Sequence, residues 1–99
     1  MSAADRELVF NALADANRRL LLDRLREQNG QTLTALGDGL GMSRQAVTKH
    51  LKVLEDASLV STRRQGRVRL HYLNPVPIHA VAMRWLKQFD AVRLDDLGQ

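Results

Sequence analysis

The sequence contains no cysteine, so disulfides, thiolate metal sites and thiol redox switches are all excluded. No apolar run approaches the ~20 residues of a membrane-spanning helix. The opening residues, Met1-Ser2-Ala3-Ala4-Asp5, lack the basic stretch and apolar core of a signal peptide, and the expected location is the cytoplasm. There is no internal repeat, no low-complexity tract and no glycine-rich loop of the kind that cradles phosphate. Histidines and carboxylates do not cluster, and Asp95-Asp96 reads as a solvated end. Catalysis needs an activated nucleophile, paired acids or a metal, and none is spelled out here, so an enzyme is not expected. Neither a metal nor a cofactor is expected.

A chain of 99 residues makes one small domain with a thin core, and residues 1–99 read as a single unit. With disulfides and metals set aside, self-association is the expected source of further burial.

What is present is helical periodicity followed by a change of period. Leu8, Val9, Ala12 and Leu13 predict a helix over about 5–14, with Phe10 on its flank. Asp15 is placed to cap a second helix carrying Leu20, Leu21, Leu22 and Leu25, which ends near Asn29-Gly30. Thr32 caps a third helix with Leu33, Ala35, Leu36 and Leu40 that stops at Gly41, and Gly37 and Gly39 weaken it. Ser43 caps a fourth, running to about Ala57, with Val47, Leu51 and Leu54 forming one apolar stripe. Only Gly41-Met42-Ser43 separates the third and fourth helices, and a short Gly-containing turn between two helices is the helix-turn-helix signature. Strands 59–64 and 68–73 flank Gln65-Gly66-Arg67 as a hairpin, with Val68, Leu70 and Tyr72 inward and His71 outward. A last helix over about 77–93 repeats Ile78, Val81, Ala82, Trp85, Phe89 and Val92, with Leu86 widening the face. The expected fold is mainly α with a small β-hairpin: about five helices and a two-stranded wing.

The charge is unevenly placed. The formal net charge is +4. Residues 44–69 carry seven basic side chains against two acidic ones, a net of +5, which leaves the rest of the chain at −1. Opposite the apolar stripe, the fourth helix presents Gln45, Thr48, Lys49 and Lys52, with Ser43 and Arg44 at its start. Glutamine can bond adenine bidentately, lysine can reach guanine or phosphate, and a helix N-terminus favours a phosphate. A solvated helix face has the same composition; the short turn before it and the basic hairpin after it favour double-stranded DNA. The hairpin carries Arg63, Arg64, Arg67 and Arg69 with no acid among them, which is more than edge protection requires.

These residues resemble the ArsR/SmtB family of bacterial regulators. Phe10-Asn11-Ala12-Leu13-Ala14-Asp15 followed by Asn17-Arg18-Arg19 is similar to the family's ALADPTRR stretch, with Ala16 in place of Pro. Met42 to Glu55 is similar to its recognition helix, S-x-x-S-x-H-L-x-x-L, and Leu59-Val60, Arg63 to Arg67 and Tyr72 to its wing. The resemblance spans Leu8 to about Leu94 and implies a winged helix-turn-helix repressor that binds an operator through helix 43–57 and wing 60–73. It implies a homodimer closed by the first and last helices, through Leu8, Val9, Phe10, Val81, Trp85, Leu86 and Phe89; the same residues could instead close the monomer's own core. The family's metal sites do not carry over, because there is no cysteine and His79 has only Asp90 eleven residues on. His50 reads as structural and His79 as a lone helix-start histidine. A winged-helix module that binds protein rather than DNA is the alternative function. The inducing signal is left open, between a small-molecule effector, a partner protein and a change in protein level.

Overall fold

The computed structural model describes residues 1–90 and residue 92. The elements run α1 (Ala3–Leu13), α2 (Ala16–Glu27), α3 (Leu33–Gly37), α4 (Arg44–Asp56), β1 (Val60–Gln65), β2 (Val68–Leu73) and α5 (Val76–Lys87). Five helices and one antiparallel hairpin agree with the expected fold class. The expected end of the last helix at Arg93, like Asp95-Asp96, lies outside the described residues; the described helix ends at Lys87. Among the described residues no helix is long and apolar enough to cross a membrane.

The first four helices each open on a side-chain cap, whereas α5 opens at Pro75 without one. Ser2 and Asp5 form a reciprocal capping box, so α1 begins earlier than its apolar periodicity suggests. Asp15 accepts from the amides of Asn17 and Arg18 and opens α2. The Arg18 amide bonded to Asp15 is the main reason its carboxyl sits below the usual carboxylate range. Arg18 and Arg19 then reach backwards. Arg18 donates to the carbonyls of Asn11 and Ala12, at 2.8 and 2.9 Å, and Arg19 to that of Leu13 at 2.7 Å. Two guanidinium groups thus satisfy the last carbonyls of α1, where a cation suits the helix dipole. His50 of α4 joins this corner, its Nδ1 accepting from Arg18 at 3.4 Å.

The third helix is shorter than expected. It ends at Gly37, and residues 38–43 form the turn, so Leu40 lies in the turn rather than on the helix. The chain leaves the helix at Asp38, whose ψ is 125°, and Gly39 at φ 74° takes the left-handed position that this turn requires. Gly37 is a packing residue and not a weak point, since a Cβ there would meet Val47 Cγ2 at 3.0 Å. The second helix likewise stops at Glu27, before Asn29-Gly30.

One core joins all five helices and the wing. Val9 and Ala12 of α1, Leu21, Leu22 and Leu25 of α2, Leu36 of α3, and Val47, Leu51 and Leu54 of α4 meet Leu59, Val60 and Val81 there. The corner from α4 into β1 is tight. Ser58 adopts φ 62°, Leu59 N–H donates to the Leu54 carbonyl at 2.9 Å, and Ser58 N–H donates to that of Glu55. This is a Schellman ending, with Leu54 and Leu59, both fully buried, as its apolar contact. It fixes the angle at which the wing leaves the helix.

The wing's two faces are inverted relative to expectation. Val60↔Leu73, Thr62↔His71 and Arg64↔Arg69 share the inner face, while Ser61↔Tyr72, Arg63↔Leu70 and Gln65↔Val68 share the outer one. His71 is buried and Val68 is 46% exposed. The cause is a backbone bridge that alternation does not reveal. Gln31 pairs with His71 as a one-residue third strand, with bonds of 2.8 and 3.2 Å, and the His71 ring Nδ1 donates to the Gln31 carbonyl at 3.0 Å. The hairpin turn is two residues, Gly66-Arg67, with Gly66 at φ 62° in the first position, as a type II′ turn requires.

Two substitutions probe the corner. Ser58→Gly should raise unfolding free energy by up to about 1 kcal/mol, because glycine tolerates the left-handed conformation that serine resists. Leu54→Ala should lower it by about 2–5 kcal/mol through a cavity at the centre of the core. Urea denaturation of both variants checks the pair.

Candidate nucleic-acid interface

The buried stripe of α4 determines what its other side presents. With Val47, Leu51 and Leu54 turned inward, Ser43, Arg44, Gln45, Thr48, Lys49 and Lys52 are all exposed. The Ser43 hydroxyl caps the helix by accepting from the Ala46 amide at 3.1 Å. Lys52 is paired with Asp56 at 2.8 Å, which holds its ammonium above the usual lysine range. That pair is solvent-exposed and adds little stability, so it yields readily to a stronger anion.

The wing carries Arg63, Arg64, Arg67 and Arg69, all exposed. Among the described residues none of them forms an ion pair with a carboxylate. Arg64 and Arg69 lie directly opposite each other on the inner face, a like-charge pairing that destabilises a ladder. Arg63 is on the outer face, its guanidinium 5.5 Å from the Tyr72 ring centroid, a cation–π contact that orients it.

Helix and wing share one surface. An open cleft of about 480 Å³ lies between them, with Arg44, Thr48, Leu51 and Glu55 of α4 on one side and Arg67, Val68, Arg69 and His71 of the wing on the other. The capping residue Thr32, with Leu33 and Thr34 of α3, closes its third side. Three guanidinium side chains border this space against one carboxylate. Thr32 and Thr34 were not legible as site residues, because nothing in their local pattern says that α3 reaches the wing.

A second surface is apolar. Leu8 and Phe10 of α1 and Trp85 and Leu86 of α5, with Phe89 just beyond it, are between 42 and 53% exposed. Trp85 and Phe89 stack edge-to-face with centroids 5.2 Å apart. Val9 and Val81, expected in a dimer interface, are instead closed into the monomer core, at 1 and 5% exposure. Both pack into the core, and Val81 borders the surface hollow between Phe10 and Trp85 only at its floor.

Comparison with known proteins follows the same lines. A helix-turn-helix domain family matches residues 13–63. The HTH-type transcriptional regulator YuzN of Bacillus subtilis is 39% identical over 89 residues, covering 84% of this chain and 97% of its own. The transcriptional repressor SdpR of the same organism is 29% identical over 83 residues, covering 82% and 88%. A crystal structure of an ArsR family transcriptional regulator superposes with a TM-score of 0.80 at 32% identity, covering 89% of this chain and 90% of that one. The homodimeric winged helix-turn-helix DNA-binding domain from Mycobacterium bovis shares the fold, with a TM-score of 0.70 at 22% identity over 86% and 79% of the two chains. These matches are regulators of transcription and not enzymes. By family, by sequence identity and by fold, the chain belongs to the ArsR family of winged helix-turn-helix transcriptional regulators.

Proposed function

We propose that the protein is a homodimeric repressor that binds a palindromic operator through α4 and the wing. The observation that carries this reading is the shared cleft, bordered by Arg44 and Thr48 from the helix and by Arg67 and Arg69 from the wing. The four wing arginines have no carboxylate partner among the described residues, and the like-charge pairing of Arg64 with Arg69 is relieved when a polyanion lies against them. α4 enters the major groove with Gln45 and Lys49 toward base edges, and the wing lies along the backbone. The SdpR relative, named a repressor, supports repression, for which occlusion of a promoter suffices.

The exposed apolar faces of α1 and α5 support the dimer. A contiguous patch with Phe10, Trp85 and Phe89 at its centre is unusual on a soluble monomer. The M. bovis domain of the same fold is homodimeric. Two-fold symmetry sets the recognition helices ~34–36 Å apart on successive major grooves and makes the operator an imperfect palindrome.

Mobility shifts on a selected operator and a scrambled duplex test the DNA reading. Gln45→Ala is expected to narrow the difference between the two, and Arg64→Ala to weaken both alike. Arg64→Ala should also slightly raise the melting temperature at low salt, by relieving its repulsion with Arg69. Affinity should fall by about 10³–10⁵ between 50 and 200 mM salt if the dimer neutralises six to ten phosphates. Equal losses on both duplexes for Gln45→Ala would remove its base-reading role. Trp85→Glu is expected to convert the dimer to a monomer in light scattering; an unchanged mass for both Trp85→Glu and Phe10→Glu would place the interface elsewhere.

A further inference from the structure

The polar side chains on the outer face of α4 are not equivalent. Thr48 Oγ1 donates back to the Arg44 carbonyl at 2.9 Å, and Lys52 holds Asp56 at 2.8 Å; both bonds lie within the helix. The bond made by Arg44 is different in kind. Its Nη1 donates to Thr34 Oγ1 at 2.9 Å, crossing from α4 to α3 over the turn. Among the described residues, the Gln45 and Lys49 side chains make no hydrogen bond or ion pair.

Arg44 borders both the wing cleft and the smaller hollow beneath the turn, so its guanidinium lies on the ridge between them. One of its five N–H donors is committed to Thr34, and the others remain free. The bond to Thr34 draws the guanidinium back toward α3, beside the helix start, a placement that suits a backbone contact better than a base contact. It faces Arg67 and Arg69 across the cleft, and the three guanidinium groups outweigh the one carboxylate, Glu55, so the space is net positive and fits one strand of phosphates.

Resting on the DNA-binding reading above, we propose that Thr34 is a positioning residue that holds Arg44 as a clamp on a backbone phosphate. Base discrimination by α4 then falls to Gln45 and Lys49. The threonine contributes by fixing a long side chain before the duplex arrives, which reduces the conformational freedom lost on binding.

The test is a double-mutant cycle on the full chain, with a selected operator and a scrambled duplex at several salt concentrations. Arg44→Ala is expected to weaken both duplexes by one common factor of about tenfold or more, the scale of a missing charge-assisted bond. It should also lower the salt slope by about 0.9 for each phosphate that Arg44 neutralises. Thr34→Val should give a smaller loss of the same kind, no further loss in the Arg44→Ala background, and recovery in Thr34→Ser. Thr34 is exposed, so the melting temperature should not move, and Thr34→Ala serves as a second variant. Multiplying losses for Thr34→Val and Arg44→Ala overturn the positioning role. A narrowed operator-to-scrambled ratio for Arg44→Ala overturns the clamp and makes Arg44 a base reader. Retention of neither duplex by the wild-type chain overturns the DNA reading and this inference together, whereas retention with additive losses overturns this inference alone.

Discussion

The structure depends on the burial of one helix stripe. Val47, Leu51 and Leu54 are each no more than 2% exposed, and they meet residues from α1, α2 and α3. In a chain this short, three fully buried aliphatic side chains on one helix are a large part of the hydrophobic driving force. Their burial sets the rotation of α4 about its own axis, and that rotation decides which side chains face outward. The wing is tied to the same stripe: the Leu54 carbonyl accepts from Leu59, the side chains of both are buried, and Ser58 takes up the strain of the corner. Helix orientation and wing direction are therefore not independent, and the cleft between them is a product of packing.

The chain uses its basic residues in two ways. Arg18, Arg19 and Arg24 are absorbed by the fold: the first two satisfy the end of α1, and Arg24 donates to the carbonyls of Leu36 and Asp38 and so closes α3. They serve as caps, satisfying backbone acceptors that would otherwise be left bare. The wing arginines meet no such demand. Arg64 and Arg69 face each other, and Arg63 is oriented only by a ring face. A charge arrangement that is unfavourable in the free protein and favourable against a polyanion is the electrostatic form a DNA-binding surface takes.

The elements that follow from periodicity and capping were legible in the sequence. The apolar stripe of α4, the caps at Asp15, Thr32 and Ser43 and the hairpin around Gly66 each depend on residues within a few positions of one another. What could not be read depends on pairings distant in sequence. Gln31 lies forty positions from His71, and its backbone bridge inverts the wing's faces. The shortness of α3 turns on Asp38 leaving the helix and Gly39 taking a positive φ, which composition alone does not decide. Val9 and Val81 share their helices' apolar faces with Phe10 and Trp85, and only the packing of α1 on α5 separates core from surface. Thr34 became a site residue only once α3 was seen to border the cleft.

The central claim is that α4 and the wing engage duplex DNA as one surface. Titration of the ¹⁵N-labelled protein with its selected operator, followed by amide chemical shifts, tests it most directly. The expected result is that amides of residues 43–56 and 60–73 shift together along a single binding curve, while those of Trp85 and Phe89 stay in place. Shifts confined to α1 and α5, with Gln45, Lys49 and the wing arginines unmoved, would contradict it.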